Sequence, residues 1–417
     1  MSVLTSTHIP WTPLADGSWP VQRTKTVMYR AKELNVDRSE KQILSLTLRG
    51  VVENDPDNPE GLVPADYATY QVFEKGDLVF KLIDLENLRT SRVGWVHRRG
   101  IMSSAYLRLR PRSGIDVRYF YWQFFDLYGR HVFNELGSGV RSTLGAEDVL
   151  ELPLLIPPYD AQRAIADYLD TETARIDVLI EKKQRMVELL LEADRAKRDL
   201  WVADLFSTWG VTSLRRRLDR IEQGWSPQCD AVEADPGGWG VLKTSAVSSG
   251  EFLPSENKRL PVDIKPDLRW ELHDGDLLVI RGSGSASKVG VAAVVRTHGR
   301  RLMMSDLTYR LILSGMNSDF VAAVMQSRIV RGELESQIRN DVGQTLKVRV
   351  DDLKNLSMPA TPLVEQEKAL SMLASHSAGV TALTIGLRRQ IELLAGRRKA
   401  LITTAVTGEL KIEGAVA

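Results

Sequence analysis

Apolar residues recur at seven-residue intervals through the middle of the chain. Leu169, Ile176 and Leu190 form one row, and Leu179, Met186, Ala193 and Leu200 form a second. From Pro158 to Phe206 no glycine or proline interrupts the stretch, which predicts a single helix of about 45 residues, roughly 65–70 Å long. The two rows make an a/d seam of the kind that faces another helix. Lys183, Lys197 and Glu172 fall on that seam and interrupt it. Asp160 is placed to cap the helix start.

A partner for the seam lies in the same chain. Beyond Pro362, Leu373, Val380, Leu387, Leu394 and Leu401 form an unbroken seven-residue row. Leu370, Ile391 and Ala405 make its companion, interrupted by Ser377, Thr384 and Arg398. Gly386 and Gly396 each cost about 1 kcal/mol against alanine, so this helix depends more on its partner. Both helices begin alike, with Ile156-Pro157 then Gln162, and Met358-Pro359 then Gln366. From there the seams stay in register at a fixed offset, which marks an internal repeat.

The segments between the helices repeat as well. Gln42–Leu48, Asp77–Ile83 and Tyr106–Leu109 read as strands, Arg118–Tyr128 as a buried aromatic helix, and 54–64 as a Pro/Asp/Asn loop. Trp19-Pro20-Val21 is matched by Trp209-Gly210-Val211, and Gly76-Asp77-Leu78 by Gly275-Asp276-Leu277. Arg92-Val93-Gly94 pairs with Lys288-Val289-Gly290, and Met102-Ser103 with Met304-Ser305. Arg108-Leu109 pairs with Arg310-Leu311, and Thr143-Leu144 with Thr345-Leu346. Their shared order carries the inference. The expected fold is α+β: two similar mixed α/β globules, 1–156 and 207–359, separated by two long antiparallel coiled-coil helices, 157–206 and 360–417 including the C-terminal tail, under a pseudo-two-fold repeat.

Lys+Arg 55 against Asp+Glu 54 leaves a net charge of +1 in 417 residues. A nucleic-acid role must therefore rest on local patches. A single cysteine, Cys229, excludes a disulfide framework, and six scattered histidines give no metal-ligand spacing. The N-terminus lacks a basic region followed by an apolar core, and no apolar run approaches membrane-spanning length, so a cytoplasmic protein is expected.

Three stretches resemble those of type I restriction–modification specificity subunits. They are Leu152-Pro153-Leu154-Leu155-Ile156-Pro157-Pro158 leading to Gln162 and Ile165, the ending Arg397–Gly408, and Gly224-Trp225-Ser226-Pro227. The resemblance covers nearly the whole chain and is clearer in the second globule than in the first. It implies two target-recognition domains, each reading half of a split double-stranded DNA site. It also implies helices that dock two methylation subunits and, through them, restriction subunits. S-adenosylmethionine, ATP and Mg would belong to those partners, with no cofactor, metal or catalytic residue in this chain and no membrane involved. Tandem similar globules on a rigid connector suit two half-sites in the way dimeric readers do. The alternative is a coiled-coil scaffold whose globules bind proteins.

Other motifs are weaker on their chemistry. Ile156-Pro157-Pro158-Tyr159 lacks the Asn or Asp with which an amino-methyltransferase accepts a hydrogen bond from its target amine, so it reads as a helix start. Arg281-Gly282-Ser283-Gly284-Ser285-Ala286-Ser287-Lys288 does not follow the phosphate-loop order, because lysine comes after serine. It reads instead as a loop able to reach DNA or as a plain surface hairpin. Glu181-Lys182-Lys183 and Glu409-Leu410-Lys411 have no accompanying Asp for a nuclease site. Basic clusters occur at Arg98-Arg99, at Arg108, Arg110 and Arg112, at Arg215–Arg217 and at Arg300-Arg301. The DNA-contact candidates are Arg49, Lys81, Arg89, Arg92, Lys243, Arg281, Ser283, Ser285, Ser287 and Lys288. The helix-pairing candidates are Leu169, Ile176, Leu179, Leu190, Leu373, Val380, Leu387, Leu394 and Leu401.

Overall fold

A computed structural model of the chain describes residues 19–47, 50–55, 66–82, 93–136, 144–338 and 346–415. It divides into two compact units, Met1–Gln184 with Arg388–Ala417, and Arg185–Leu387. The helices of the first are α1 (Val117–Gly129), α2 (Val132–Leu136) and α3 (Ala146–Glu151). Next comes α4 (Tyr159–Trp209), then α5 (Ser318–Met325), α6 (Arg328–Gln337) and α7 (Val350–Asn355), and last α8 (Leu363–Val406). The two long helices, α4 and α8, each contribute to both units.

The two globules share one scaffold. In the first, an antiparallel sheet runs Met28–Ala31, Leu107–Pro111, Leu78–Phe80, Val93–Trp95. In the second, the order is Leu218–Gln223, Thr308–Leu313, Leu277–Ile280, Ala292–Val294, with the same connectivity. Each sheet is entered through a Gly-Asp turn. Gly76 and Gly275 adopt φ of +95° and +96°, which glycine allows without steric cost. The following aspartate closes the turn: Glu74 N–H donates to Asp77 Oδ2 at 2.7 Å, and His273 N–H to Asp276 Oδ2 at 3.0 Å. The match of Arg92-Val93-Gly94 with Lys288-Val289-Gly290 is corrected by strand register. Val93 pairs with Phe80 as Ala292 pairs with Val279, so the true counterpart lies three residues further on. Arg92 itself, and Thr143 and Thr345 of another match, lie outside the described residues.

Each sheet carries a helix on its inner face. Asp116 caps α1 by accepting from Arg118 N–H, and Asn317 caps α5 by accepting from Asp319 and Phe320 N–H. Tyr119, Phe120 and Phe124 of α1 are fully buried, with Phe124 edge-on to Phe80 at 4.9 Å. The aromatic run is therefore core, held by area burial and ring geometry.

The long helices pair antiparallel within each unit. In the first, Arg398 meets Asp177 at 2.8 Å and Lys183 donates to Gln390 at 2.6 Å. In the second, Ser377 donates to Asp194 at 3.0 Å and Lys197 lies 3.2 Å from His376. Leu169, Ile176, Leu373 and Val380 are buried, and Leu190, Leu387, Leu394 and Leu401 half-buried, as the seam requires. The companion row of α4 is corrected. Leu179, Met186 and Leu200 are exposed, at 41%, 51% and 72%. Thr173, Ile180, Val187 and Asp194, one residue further on, face inward instead. Residues at i+3 and i+4 share a helix face, and here the i+4 set won. Four of the six polar residues that interrupt the seams, Lys183, Lys197, Ser377 and Arg398, are cross-linked by the contacts above.

The C-terminal half of each long helix lands on a globule. Trp201, Val202, Leu205 and Phe206 of α4 join the core around Phe320, with Trp201 edge-on to Phe320 at 5.7 Å. Leu401, Ile402, Ala405 and Val406 of α8 join the core around Phe120, and Ile412 and Ala415 of the following tail are buried there too. Gly408, at φ +81°, ends α8 against Trp19, whose ring a Cβ would meet at 3.1 Å. One expectation needs correcting. α8 contains an 18-residue window of mean hydropathy 1.3, which is long and apolar enough to cross a membrane. That window includes Ser371, Ser375, Ser377, Thr381 and Thr384, and the Ser377 and His376 contacts place it against the polar seam of α4.

The shared helix start has a shared role. Gln162 and Gln366 are buried, at 2% and 0% exposure. Gln162 donates to Pro157 O at 2.8 Å and accepts from Asp116 N–H at 3.0 Å. Gln366 donates to Thr361 O at 2.8 Å and accepts from Asn317 N–H at 2.9 Å. In both units this amide ties the long helix to the cap of the sheet-packing helix.

Candidate nucleic-acid interface

Arg49, Arg89 and Arg92 lie outside the described residues. Lys81 is half-buried at the end of strand Leu78–Phe80. Lys243 is half-buried 3.8 Å from Glu256, ahead of a short helical turn. The remaining five candidates come together in one loop of the second globule.

That loop is tied down at both ends. The backbone of Arg281 donates to Leu307 O at 2.8 Å and accepts from Val348 N–H at 2.9 Å. Gly282–Ser283 then pairs with Leu346–Lys347 as a short antiparallel ladder. Behind it, Arg331 donates to Val289 O at 2.7 Å and to Ser287 O at 3.2 Å. Ser285 Oγ and Ser287 Oγ are 2.9 Å apart, and Ser285 N–H donates to Ser283 Oγ. Ser285, Ala286, Ser287, Lys288 and the adjacent Lys347 are exposed. The result is a braced projection whose outer edge carries hydroxyls and two ammonium groups.

Arg281 is held differently from the others. Its Nε donates to the Tyr309 hydroxyl at 3.1 Å, its Nη1 lies 3.4 Å from Asp306 O, and its guanidinium sits 5.8 Å from the Tyr309 ring centre. The Ser305–Thr308 turn that supplies Asp306 is also fastened to the Gly224-Trp225-Ser226-Pro227 segment. Trp225 N–H donates to Met304 O at 3.1 Å, and Asp306 N–H donates to Ser226 Oγ at 3.1 Å. A Cβ on Gly224 would stand 2.4 Å from the carbonyls of Met304 and Ser305, so only glycine fits.

The basic clusters divide between surface and interior. Arg98 pairs with Glu53, and Arg99 with Glu40 and Glu74. Arg300 pairs with Glu233, and Arg215 lies 3.9 Å from Asp351. Arg108 is not a surface cation at all: it is 1% exposed, bound to Asp77 and to Val72 O. Its counterpart Arg310 is bound to Glu222 and Asp276. Both are sheet-internal charges whose partners come from neighbouring strands. Nothing in a local sequence window shows such pairing.

Among the described residues no three His, Cys, Asp or Glu side chains gather to hold a metal ion. Two hollows of about 340 and 310 Å³ lie at matching places, beside Trp95, Trp122 and Arg398 in one unit and Val294, Ala323 and Arg198 in the other. The loop's outer edge offers hydroxyl and ammonium donors beside the Arg281 guanidinium, a donor set of the kind that suits phosphates and base edges.

These features define a class: a protein of two repeated α/β globules, each sharing a hydrophobic core with a long helix. No protein-family profile matches the chain. It is similar to the type I restriction enzyme EcoEI specificity subunit of Escherichia coli, 30% identical over 169 residues, 40% of this chain and 28% of that protein. It is also similar to the StySPI specificity subunit of Salmonella potsdam, 22% identical over 320 residues, 72% of this chain and 67% of that protein. The chain thus spans about a quarter to two thirds of the curated relatives it matches. Its fold is that of a solved chain from work on complex assembly and conformational transition of the type I R-M system, at TM-score 0.64 and 14% identity over 96% of this chain and 99% of that one. The resemblance to type I specificity subunits read from the sequence is borne out by these relatives, and the fold is one that occurs in a type I R-M system.

Proposed function

We propose that this chain is the DNA-recognition subunit of a type I restriction–modification complex, acting in the cytoplasm on double-stranded DNA. The observation that carries the proposal is the repetition of one sheet-and-helix scaffold twice in a chain similar to specificity subunits. Each globule reads one half of a bipartite site. The exposed apolar residues of the long helices, such as Leu179, Met186, Leu200 and Met372, dock two methylation subunits, and restriction subunits join through those. Methyl transfer and cleavage, with their S-adenosylmethionine, ATP and Mg, belong to the partners, and this chain is non-catalytic.

Within the second globule the loop Arg281–Lys288 makes the DNA contact. Lys288 acts as a point charge on phosphate, and Arg281 offers a planar fork to a base. The test is a gel shift of the chain, assembled with its purified methylation subunit, on a randomised duplex library at two salt concentrations. A single enriched bipartite motif supports the reading. Binding without sequence preference overturns it, and a protein scaffold would give that result. Lys288→Ala should weaken all sites alike and lower the salt slope by about one unit.

A further inference from the structure

The two globules share their framework but differ at one pair of positions at the mouth of the sheet. Leu82 follows strand Leu78–Phe80 where Arg281 follows Leu277–Ile280, and Leu144 N–H donates to Leu82 O as Val348 N–H donates to Arg281 O. Leu107 pairs with Phe80 where Tyr309 pairs with Val279. In the first globule both positions are leucines, 6% exposed and part of the core. The scaffold therefore closes well with apolar residues at this pair. An arginine and a tyrosine there answer a need other than folding.

The geometry of the pair indicates what that need is. Tyr309 is 5% exposed, so its ring is core, yet its hydroxyl reaches Arg281 Nε at 3.1 Å. The carbonyl of Asp306 takes an edge of Nη1 at 3.4 Å. The Arg281 backbone is clamped on both sides, by Leu307 O and Val348 N–H. An arginine alone surrenders side-chain freedom when it binds a base. Here one face of the fork is already occupied by protein acceptors, and the side chain waits in a fixed orientation beside exposed Ser285, Ser287 and Lys288.

We propose that Tyr309 is a positioning residue for sequence reading. It touches no DNA, and its hydroxyl holds the Arg281 guanidinium in the orientation that discriminates one base pair of the second half-site. The inference rests on the proposed DNA-recognition function. The side chain it positions would meet the acceptor pair of a guanine in the major groove, where arginine binds bidentately. The Asp306 carbonyl shares in holding the guanidinium, and the Gly224–Pro227 segment acts one step further back, by fixing the turn that carries it.

The experiment uses the full chain assembled with its methylation subunit, with binding read on cognate duplex and on duplexes substituted singly at each position. Arg281→Ala should reduce discrimination at one position of one half-site by about 10- to 100-fold. Tyr309→Phe, which keeps the ring and removes only the hydroxyl, should reduce discrimination at that same position by about 3- to 10-fold. Every other position should stay unchanged. In the Arg281→Ala background, Tyr309→Phe should add nothing, because the two act through one contact. A purely structural tyrosine would instead weaken binding at all positions, and its effect would add to that of Arg281→Ala. Either of those outcomes overturns the proposal, as does a Tyr309→Phe complex that discriminates like the unmodified one. If the unmodified complex shows no preferred sequence, the recognition function itself fails and the proposal goes with it. If it reads a motif that neither variant alters, only the positioning role falls.

Discussion

The same arginine, on the same strand of the same sheet, is neutralised in two different ways. In the first globule Arg108 is 1% exposed and shares Asp77, itself 2% exposed, with Arg110 at 3.1 Å. Two guanidiniums lean on Asp77, and among the described residues the only other carboxylate near Arg108 is the exposed one of Glu33, 3.6 Å away. In the second, Arg310 takes two carboxylates, Glu222 at 2.6 Å and Asp276 at 3.1 Å, and donates to the carbonyls of Glu271 and Arg269. A buried charge survives only with compensation, so each globule had to solve the problem, and each did so with the residues its neighbouring strands offered. The Gly-Asp turn is the constant, and the rest of the cage is free to vary around it.

The largest expected effect tests that asymmetry. Asp77→Asn removes the carboxylate that both arginines bind and leaves buried Arg108 with only the exposed Glu33 at 3.6 Å, which should cost about 3–5 kcal/mol. Asp276→Asn leaves Glu222 in place and should cost about 1–2 kcal/mol. Hydrogen exchange resolved by peptide reports each unit separately, which a single melting curve of a two-unit chain cannot do. The first substitution should release protection across Leu78–Phe80 and α1, the second only weakly across Leu277–Ile280. Equal losses would remove the distinction between the two cages.

Next in size is the seam of α4 within the second unit. Val187 is 9% exposed and its neighbour Met186 is 51% exposed. Val187→Asp should therefore cost about 2–4 kcal/mol, while Met186→Asp should stay within about 0.5 kcal/mol. Helix content and thermal unfolding of the two variants give the comparison directly. The reverse ranking would restore the row that apolar spacing alone predicts.

That seam illustrates what a sequence carries. The first rows of both helices were legible because Leu169, Ile176, Leu373 and Val380 are apolar at strict seven-residue spacing. The companion row of α4 was misread because its true members include Thr173 and Asp194, which carry no apolar signal, while exposed Leu179 and Met186 do. Globule repetition was legible in Gly76-Asp77 and Gly275-Asp276, since a positive φ demands glycine and the turn demands its acceptor. The buried roles of Arg108 and Arg310 were not, because a strand arginine looks solvated until its cross-strand carboxylates are known. At the interface, the exposed serines and Lys288 were visible as loop chemistry. Tyr309 was not, because a tyrosine on an inner strand reads as core, and only the 3.1 Å contact to Arg281 reveals its second role.

Where the globules agree, substitutions should agree too. Gln162→Ala and Gln366→Ala each delete one amide that bridges a long-helix start to the cap of α1 or α5. Each leaves a half-buried N–H and a carbonyl without that partner, for a loss of about 1–3 kcal/mol. Exchange protection at the start of the long helix and at the first turn of α1 or α5 should fall together, and by similar amounts in the two units. A loss confined to one unit would show that the repeat is conserved in shape but not in energetics.

The smallest expected effect is a pH dependence of the Arg310 cage in the second unit. Burial pushes the Glu222 carboxyl up, but hydrogen bonds from Arg220 and Arg310 outweigh it and hold the pKa below the ordinary glutamate value. A carboxyl with a depressed folded pKa binds fewer protons folded than unfolded as the solution is acidified. Its contribution is therefore fully present above the ordinary value of 4.5 and drains away as pH falls below it toward the folded pKa. Glu222→Gln lacks that titration. The variant should be less stable than the unmodified chain at neutral pH, because Arg310 keeps only Asp276, and the gap should narrow as pH falls through the window below 4.5. Urea unfolding read by peptide-resolved hydrogen exchange in Leu218–Gln223 and Thr308–Leu313, at neutral pH and inside that window, measures the gap twice. The first unit serves as the comparison, since Ala31 pairs with Arg108 where Glu222 pairs with Arg310, and its nearest glutamate, Glu33, is exposed and 3.6 Å away. A gap that stays constant across the window would mean that the Glu222 charge contributes nothing to holding Arg310 in the sheet, and that Asp276 with the two carbonyls suffices.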